Sequence, residues 1–145
     1  MASYPQLKLD RQLCFALYTA SRAVVRTYAP LLDEAGLTYP QYVTLLALWE
    51  DPERPRSVGE LGERLHLDSG TLTPLLKRLA SMGYVTRARD ADDERRVLVT
   101  LTADGVALRD RLAEVPQSFL QCLGMDPTEA GVLRDQLTAL TAALS

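Results

Sequence analysis

Histidine occurs once in this sequence and cysteine twice, and these scarcities exclude a good deal of chemistry. Cys14 and Cys122 lie near opposite ends of the chain with His66 between them, so neither a zinc-ligand spacing nor a dense disulfide framework is present. Any chemistry the cysteines perform is thiol chemistry. Also lacking is any run near the roughly 18 consecutive apolar residues of a membrane span. Residues 1–10 lack the basic-then-apolar order of a secretory signal, so a cytoplasmic protein with no membrane partner is expected. No internal repeat or low-complexity tract interrupts the 145 residues, a length that fits one folding unit with one core. Hydrophobic residues at 47% and charged residues at 24% lie near globular averages, which excludes a disordered or fibrous chain.

The net charge of −3 argues weakly against nucleic acid as a partner, but the charge is unevenly spread. Residues 1–53 carry 4 basic and 6 acidic side chains, residues 54–96 carry 9 and 7, and residues 97–145 carry 3 and 6. Within the middle segment, 69–89 holds Lys77, Arg78, Arg87 and Arg89 with no acid at all. That stretch is a local basic patch.

Apolar periodicity predicts a long first helix from about Asp10, taken as its N-cap, to Leu32, kinked near Pro30 and stopped by Gly36. Leu13, Leu17, Ala20, Val24 and Leu31 follow one stripe, and Cys14, Tyr18, Ser21, Val25, Tyr28 and Leu32 a second about 100° round. So wide an apolar surface suggests two packing partners and hence a dimer interface. Thr38 and Pro40 open a helix that runs to Trp49, and Asp51-Pro52-Glu53-Arg54-Pro55 breaks it. Ser57-Val58-Gly59-Glu60 has the form of a capping box before a short helix, and His66-Leu67-Asp68 reads as a turn.

Asp68 or Ser69 caps the next helix, with Leu72, Leu75, Leu76, Leu79 and Met82 inward, Pro74 disturbing its first turns and Gly83 ending it. Residues 85–89 and 97–101 are β-type runs around the charged segment 90–96, which reads as a hairpin with a solvated, mobile tip. One helix from Thr102 to Leu123, with Pro116 as a kink, and another from Asp126, with Leu133, Leu137, Leu140 and Leu144 in a stripe, complete the chain.

The order is that of a helix-turn-helix followed by a two-stranded wing, a mainly α fold, and the basic patch falls on the second helix and the wing. In such an arrangement the second helix enters the major groove and the wing tip reaches the minor groove. Ser69, Thr71, Thr73, Lys77 and Arg78 suit the first role, and Arg87, Arg89, Arg95 and Arg96 the second. The bland alternative is a set of solvated charges on a polar face. Acid-free clustering on this pair of elements favours double-stranded DNA as partner. Asp92, Asp93 and Glu94 are consecutive acids on a hairpin tip that do not converge, so no metal site is expected, and no cofactor.

Through Asp68-Ser69-Gly70-Thr71-Leu72-Thr73-Pro74-Leu75-Leu76-Lys77-Arg78-Leu79 and Asp93-Glu94-Arg95 before Val97-Leu98-Val99-Thr100-Leu101-Thr102, the sequence resembles the MarR family of winged-helix repressors over nearly its whole length. Leu9-Asp10-Arg11-Gln12-Leu13-Cys14-Phe15-Ala16-Leu17-Tyr18 and Gly36-Leu37-Thr38-Tyr39-Pro40-Gln41-Tyr42 are similar to the organic-hydroperoxide-responsive OhrR branch, a more specific likeness. The resemblance implies a single domain over 1–145, with a winged helix-turn-helix at about 54–101 and dimerisation helices in 1–37 and 103–145. It further implies a homodimeric repressor, not an enzyme, that binds palindromic operator DNA when reduced and releases it when organic hydroperoxide oxidises Cys14. Arg95 would enter the minor groove, with Asp93 holding it. Tyr28 and Tyr39 match the two tyrosines that contact the reactive sulfur.

A sensing cysteine must be appreciably thiolate, which needs donors, cations or a helix N-terminus, and Cys14 falls in the first turns of its helix. Tyr28 follows Cys14 by 14 positions, on nearly the same face but roughly 21 Å along the axis. If the two meet, Tyr28 comes from an antiparallel first helix of a second subunit. On spacing alone Cys14 is as readily a small buried hydrophobe. Cys122 is either core filler or an accessible thiol; two-cysteine members of the branch have a second cysteine in this region, which implies an intersubunit Cys14–Cys122 disulfide, the alternative being capping of Cys14 by a small thiol. Phe15, Tyr18 and Tyr42 suit an apolar peroxide better than hydrogen peroxide. Two other classes compete: a repressor gated by a small aromatic ligand without thiol chemistry, and a thiol peroxidase, in which the basic helix and wing would have no use.

Overall fold

A computed structural model describes residues 1–145, and its chain divides into two compact units, Met1–Leu31 with Pro116–Ser145, and Leu32–Val115. No helix is long and apolar enough to cross a membrane.

In the first unit, two tight 3-10 turns, Pro5–Leu7 and Leu9–Arg11, precede helix α1, Leu13–Leu32. Asp10 therefore lies within a turn and is not the N-cap expected from the sequence, and the α-helix starts three residues later. The turns persist because the Gln12 side chain donates to the carbonyls of Gln6 and Lys8 at 2.8 and 2.9 Å. Cys14 is thereby the second residue of α1, where a helix leaves N–H groups unpaired. Pro30 falls in the last turn, and the chain passes into a 3-10 turn at Asp33–Ala35 ended by Gly36 in the left-handed region at φ 67°.

The expected helix from Thr102 to Leu123 is instead two helices, α5 at Ala103–Arg111 and α6 at Val115–Leu123. Proline cannot donate to the carbonyl four residues back and its ring crowds that carbonyl, so Pro116 opens a helix where the sequence suggested a kink inside one. Helix α7, Pro127–Ala143, starts with a full capping box of Asp126 and Glu129. Large apolar side chains of this unit face outward: Leu13, Phe15, Tyr18 and Val25 on α1 and Val132, Leu133 and Leu137 on α7 are all exposed. Every large exposed hydrophobic residue except Leu46 belongs to this unit, and every buried core residue belongs to the other.

The second unit holds that core. Helix α2, Tyr39–Trp49, has a complete capping box between Thr38 and Gln41, with Pro40 in its first turn. Strand β1, Arg56–Ser57, leads directly into α3, Val58–Leu65, and then α4, Ser69–Ser81. Only half of the box expected at Ser57 forms: Ser57 Oγ accepts from Glu60 N–H at 3.1 Å, while the Glu60 carboxylate turns elsewhere. The turn at 66–68 has His66 in the left-handed region at φ 56°. There Gly62 accepts a hydrogen bond from Leu67 N–H, and a Cβ on Gly62 would lie 2.7 Å from the Leu67 carbonyl oxygen. Asp68 caps α4 through Thr71 N–H at 2.7 Å, and the helix runs on through Pro74.

Strands β2, Val85–Arg89, and β3, Val97–Leu101, form the expected hairpin, but the sheet has three antiparallel strands in the order β1-β3-β2. Arg56 pairs with Val99 and Ser57 with Leu98, so the start of α3 is stitched to the wing. Leu45, Leu48, Leu61, Leu72, Leu76, Leu79, Val99 and Leu108 are fully buried between these elements. Trp49 Nε1 donates to the Gly105 carbonyl at 2.9 Å and so ties α2 to α5. A Cβ on Gly105 would collide with the Tyr84 carbonyl oxygen, a backbone atom that cannot rotate away. Gly105→Ala is expected to lower unfolding stability by about 1–3 kcal/mol in a urea titration, as overpacking of a tight contact does.

Candidate nucleic-acid interface and thiol pair

Helix α4 buries Leu72, Leu76 and Leu79, which turns Gly70, Thr71, Pro74, Lys77 and Arg78 outward. At 100° per residue, Ser69 and Thr73 lie on one flank of that outer face and Thr71 and Arg78 on the other, with Lys77 between. On the Ser69 side an open cleft of about 440 Å³ separates α4 from the wing, with Ser57, Ser69, Thr73, Arg87, Arg95 and Arg96 in its walls. Five of the ten residues expected to meet DNA are thus gathered round one cleft. Lys77, Arg78 and Thr71 sit farther round the helix, and Arg89 and Asp93 belong to the wing outside the cleft wall.

The wing arginines do different things. Arg95 has 91% of its side chain exposed and forks onto Asp93, Nε to Oδ1 at 3.1 Å and Nη2 to Oδ2 at 3.4 Å. Asp93 Oδ1 also accepts from the Arg95 N–H at 3.1 Å, and the Arg95 side-chain bond, followed by the backbone one, holds this carboxyl below the usual aspartate range. Arg89 Nη1 donates to the Glu94 carbonyl at 2.7 Å. Arg96 donates to Glu60 and to Asp90, each at 3.3 Å. Arg87 lines the cleft with its Nε buried and without a hydrogen-bond partner.

The segment 90–96 is solvated, as expected, but is closed by its own bonds. Asp90 N–H donates to the Arg96 carbonyl at 2.8 Å, Arg96 N–H to the Asp93 carbonyl at 2.9 Å, and Asp92 N–H to Asp90 Oδ1 at 3.0 Å. The sequence reading missed Ser57 and Glu60. The position of Glu60 points only to a capping box, and nothing local marks a bond to a residue 36 positions away.

Both cysteines are exposed free thiols, so the buried-hydrophobe alternative for Cys14 does not describe the single chain. Cys122 lies near the end of α6. One turn before it, Phe119 stacks on Tyr28 of α1, ring centres 4.3 Å apart and planes inclined by 14°. Tyr39 belongs to the second unit, in the first turn of α2, with the Tyr42 ring 6.4 Å away. Burial raises the Tyr39 phenol above its ordinary range, so at neutral pH it keeps its proton and can donate.

A family model described as transcriptional regulator SarA/Rot matches residues 26–112. The organic hydroperoxide resistance transcriptional regulator of Bacillus subtilis strain 168 is 48% identical over 117 residues, covering 81% of this chain and 78% of that protein. Among solved structures, reduced AbfR bound to DNA, AbfR being a Staphylococcus epidermidis protein, superposes with a TM-score of 0.79 at 35% identity, covering 97% of each chain. The disulfide form of AbfR superposes with a TM-score of 0.67 at 37% identity, covering 94% of each.

Proposed function

This chain belongs to the SarA/Rot group of MarR-type winged-helix transcriptional regulators, DNA-binding proteins and not enzymes, and from that membership we propose that it is a redox-gated repressor. In the reduced state a homodimer holds palindromic operator DNA, α4 in the major groove and Arg95 in the minor groove. Organic hydroperoxide oxidises Cys14, and the DNA is released. Relatives support DNA binding and a role in the response to hydroperoxide: one is named for organic hydroperoxide resistance, and another has been solved on DNA and in a disulfide form.

The observation that carries the thiol chemistry is the stack of Tyr28 on Phe119. Along a continuous α1, Tyr28 is roughly 21 Å from its own Cys14, so a tyrosine at position 28 reaches a Cys14 only from an antiparallel second copy. Tyr28 brings Phe119 with it, and Cys122 is the next turn of the same helix. The copy that supplies the tyrosine therefore supplies Cys122 by the same approach. The exposed apolar faces of α1 and α7 are the surfaces such a copy would cover. By resemblance, Tyr39 remains the second candidate hydroxyl.

The Cys14 thiolate attacks the outer peroxide oxygen, the O–O bond breaks, and protonation of the alkoxide yields the alcohol and a Cys14 sulfenic acid. The Cys122 thiol of the second copy then attacks that sulfur and expels water, which leaves an intersubunit disulfide. Bridged subunits no longer present their recognition helices at the spacing of one duplex turn, roughly 34 Å.

Fluorescence anisotropy of a labelled palindromic duplex, selected from random-sequence DNA by the reduced protein, tests this. Cumene hydroperoxide is expected to abolish binding and dithiothreitol to restore it. Unchanged binding with Cys14 unmodified by intact-mass measurement would overturn the redox switch and favour gating by an aromatic ligand.

A further inference from the structure

We propose that Glu60 and Arg96 form a strut that fixes the wing against the helix-turn-helix, so that Arg96 is a positioning residue for DNA recognition and not a phosphate ligand. The inference rests on the DNA-binding assignment above and is independent of the thiol chemistry.

Arg96 stands just before β3, beside the exposed Arg95, and its charge invites assignment to a phosphate. Its guanidinium is already committed. Nη1 donates to Asp90 Oδ2, just after β2, and Nη2 donates to Glu60 Oε1, in the first turn of α3, both at 3.3 Å. Asp90 is the most enclosed acid of the group, its side chain 13% exposed, and its backbone N–H is bonded to the Arg96 carbonyl at 2.8 Å. Glu60 places its second oxygen on Arg54 at 3.2 Å, so the same carboxylate also fastens the loop that leads into β1. One planar fork thus spans both wing strands and the first helix of the pair that carries α4. A fork can present a separate nitrogen to each of two carboxylates, which a lysine ammonium cannot do in that geometry.

Arg95 is the residue the strut serves. Its position depends on where the wing stands relative to α4; Val85 and Val99 anchor the base of the wing in the core and β1 pairs with β3, while Arg96 ties the end of the wing nearest Arg95. The Glu60 carboxylate, which makes no helix cap, is therefore an acid bonded to a wing arginine of the cleft, and its removal makes the surface more basic yet less selective.

The test measures affinity for the selected duplex and for a scrambled duplex, across a salt series, in the full-length reduced protein and the variants Arg96→Lys, Arg96→Ala and Glu60→Gln. The strut predicts that R96K, with charge kept and fork lost, behaves like R96A. Both are expected to lower the ratio of selected to scrambled affinity by roughly three- to thirtyfold, a surface pair counted in two subunits. The slope of log affinity against log salt stays near that of the wild type. E60Q is expected to lower the same ratio while tightening scrambled DNA. A direct phosphate contact predicts otherwise: R96K near wild type, and R96A losing roughly 1.8 in slope, about 0.9 for each of two phosphates. That result, or an unchanged ratio in E60Q, would overturn the strut. Thermal unfolding at the wild-type midpoint establishes that a variant is folded, and Asp90→Asn, which removes the other anchor, gives an independent reading of the same loss.

Discussion

Cys14→Ser is expected to remain on its operator at hydroperoxide concentrations that release the wild type completely, with the response shifted by at least on the order of a hundredfold. The nucleophile toward a peroxide is the thiolate, and a serine hydroxyl is not deprotonated at neutral pH to any comparable extent. Affinity of the reduced protein for DNA should stay within about twofold, because Cys14 is an exposed side chain at the start of α1, outside the unit that carries α4 and the wing. Cys122→Ser separates the two thiols. Cys14 is still oxidised, but without a resolving partner the sulfenic acid proceeds to the sulfinic state, which dithiothreitol does not reverse. Intact-mass spectra taken along the anisotropy titration would follow both variants. A C14S protein that leaves DNA as readily as the wild type would remove the thiol from the mechanism.

The second large effect is expected at the wing tip. Arg95→Ala removes a guanidinium held out to solvent by Asp93, and a dimer loses two of them. At about 1–3 kcal/mol for each well-placed contact, operator affinity should fall by roughly thirtyfold to ten-thousandfold, with loss of preference at the outer positions of the site. Asp93→Ala should produce a smaller loss, since it frees the arginine without deleting it. The pH dependence follows from the same pair. The Asp93 carboxyl is held below its usual range by Arg95, so its contribution is complete above the unfolded aspartate value and disappears only as pH falls through the lower folded one. Between about pH 5 and 8 the pair should add no pH dependence to binding. Equilibrium binding of R95A and D93A to the selected duplex checks both statements.

Elements with local signatures were legible in the sequence. The cap at Asp68, the turn at 66–68, the stop at Gly83 and the β-type runs on either side of 90–96 each carry their cause within a few residues, and together they specify a winged helix-turn-helix. Strand β1 was not legible because two residues show no alternation, and its existence depends on β3 reaching it across about forty positions. Residues 102–123 read as one helix because apolar spacing carries across Pro116, whereas the backbone cost of that proline is paid by restarting the helix. Glu60 shows the same limit at a single side chain. Its place three residues after Ser57 suggests a reciprocal cap, but Arg54 and Arg96 offer full charges where the cap offers one N–H.

The candidate thiol site divides along the same line. The placement of Cys14 in the first turn of a helix follows from pattern, and the family likeness nominates Tyr28, Tyr39 and Cys122. The link between Tyr28 and the Cys122 helix is a ring stack between residues 91 positions apart, which no spacing rule reveals. The unpartnered apolar surface was anticipated from the width of the α1 stripe, and the single chain exhibits it: Leu13 is 64% exposed and Tyr18 60%. Large apolar patches left open to water mark interaction surfaces, and this one is the surface that the proposed second copy would cover.

The most direct measurement of the central claim is a non-reducing gel of the purified protein after cumene hydroperoxide, with operator release followed on the same samples, for the wild type, Cys14→Ser and Cys122→Ser. A redox switch shared between subunits predicts a covalent dimer at twice the 16.0 kDa of the chain, formed in step with DNA release, reversed by dithiothreitol and absent from both variants. Release of DNA by hydroperoxide with no covalent dimer and with Cys14 unmodified would contradict it.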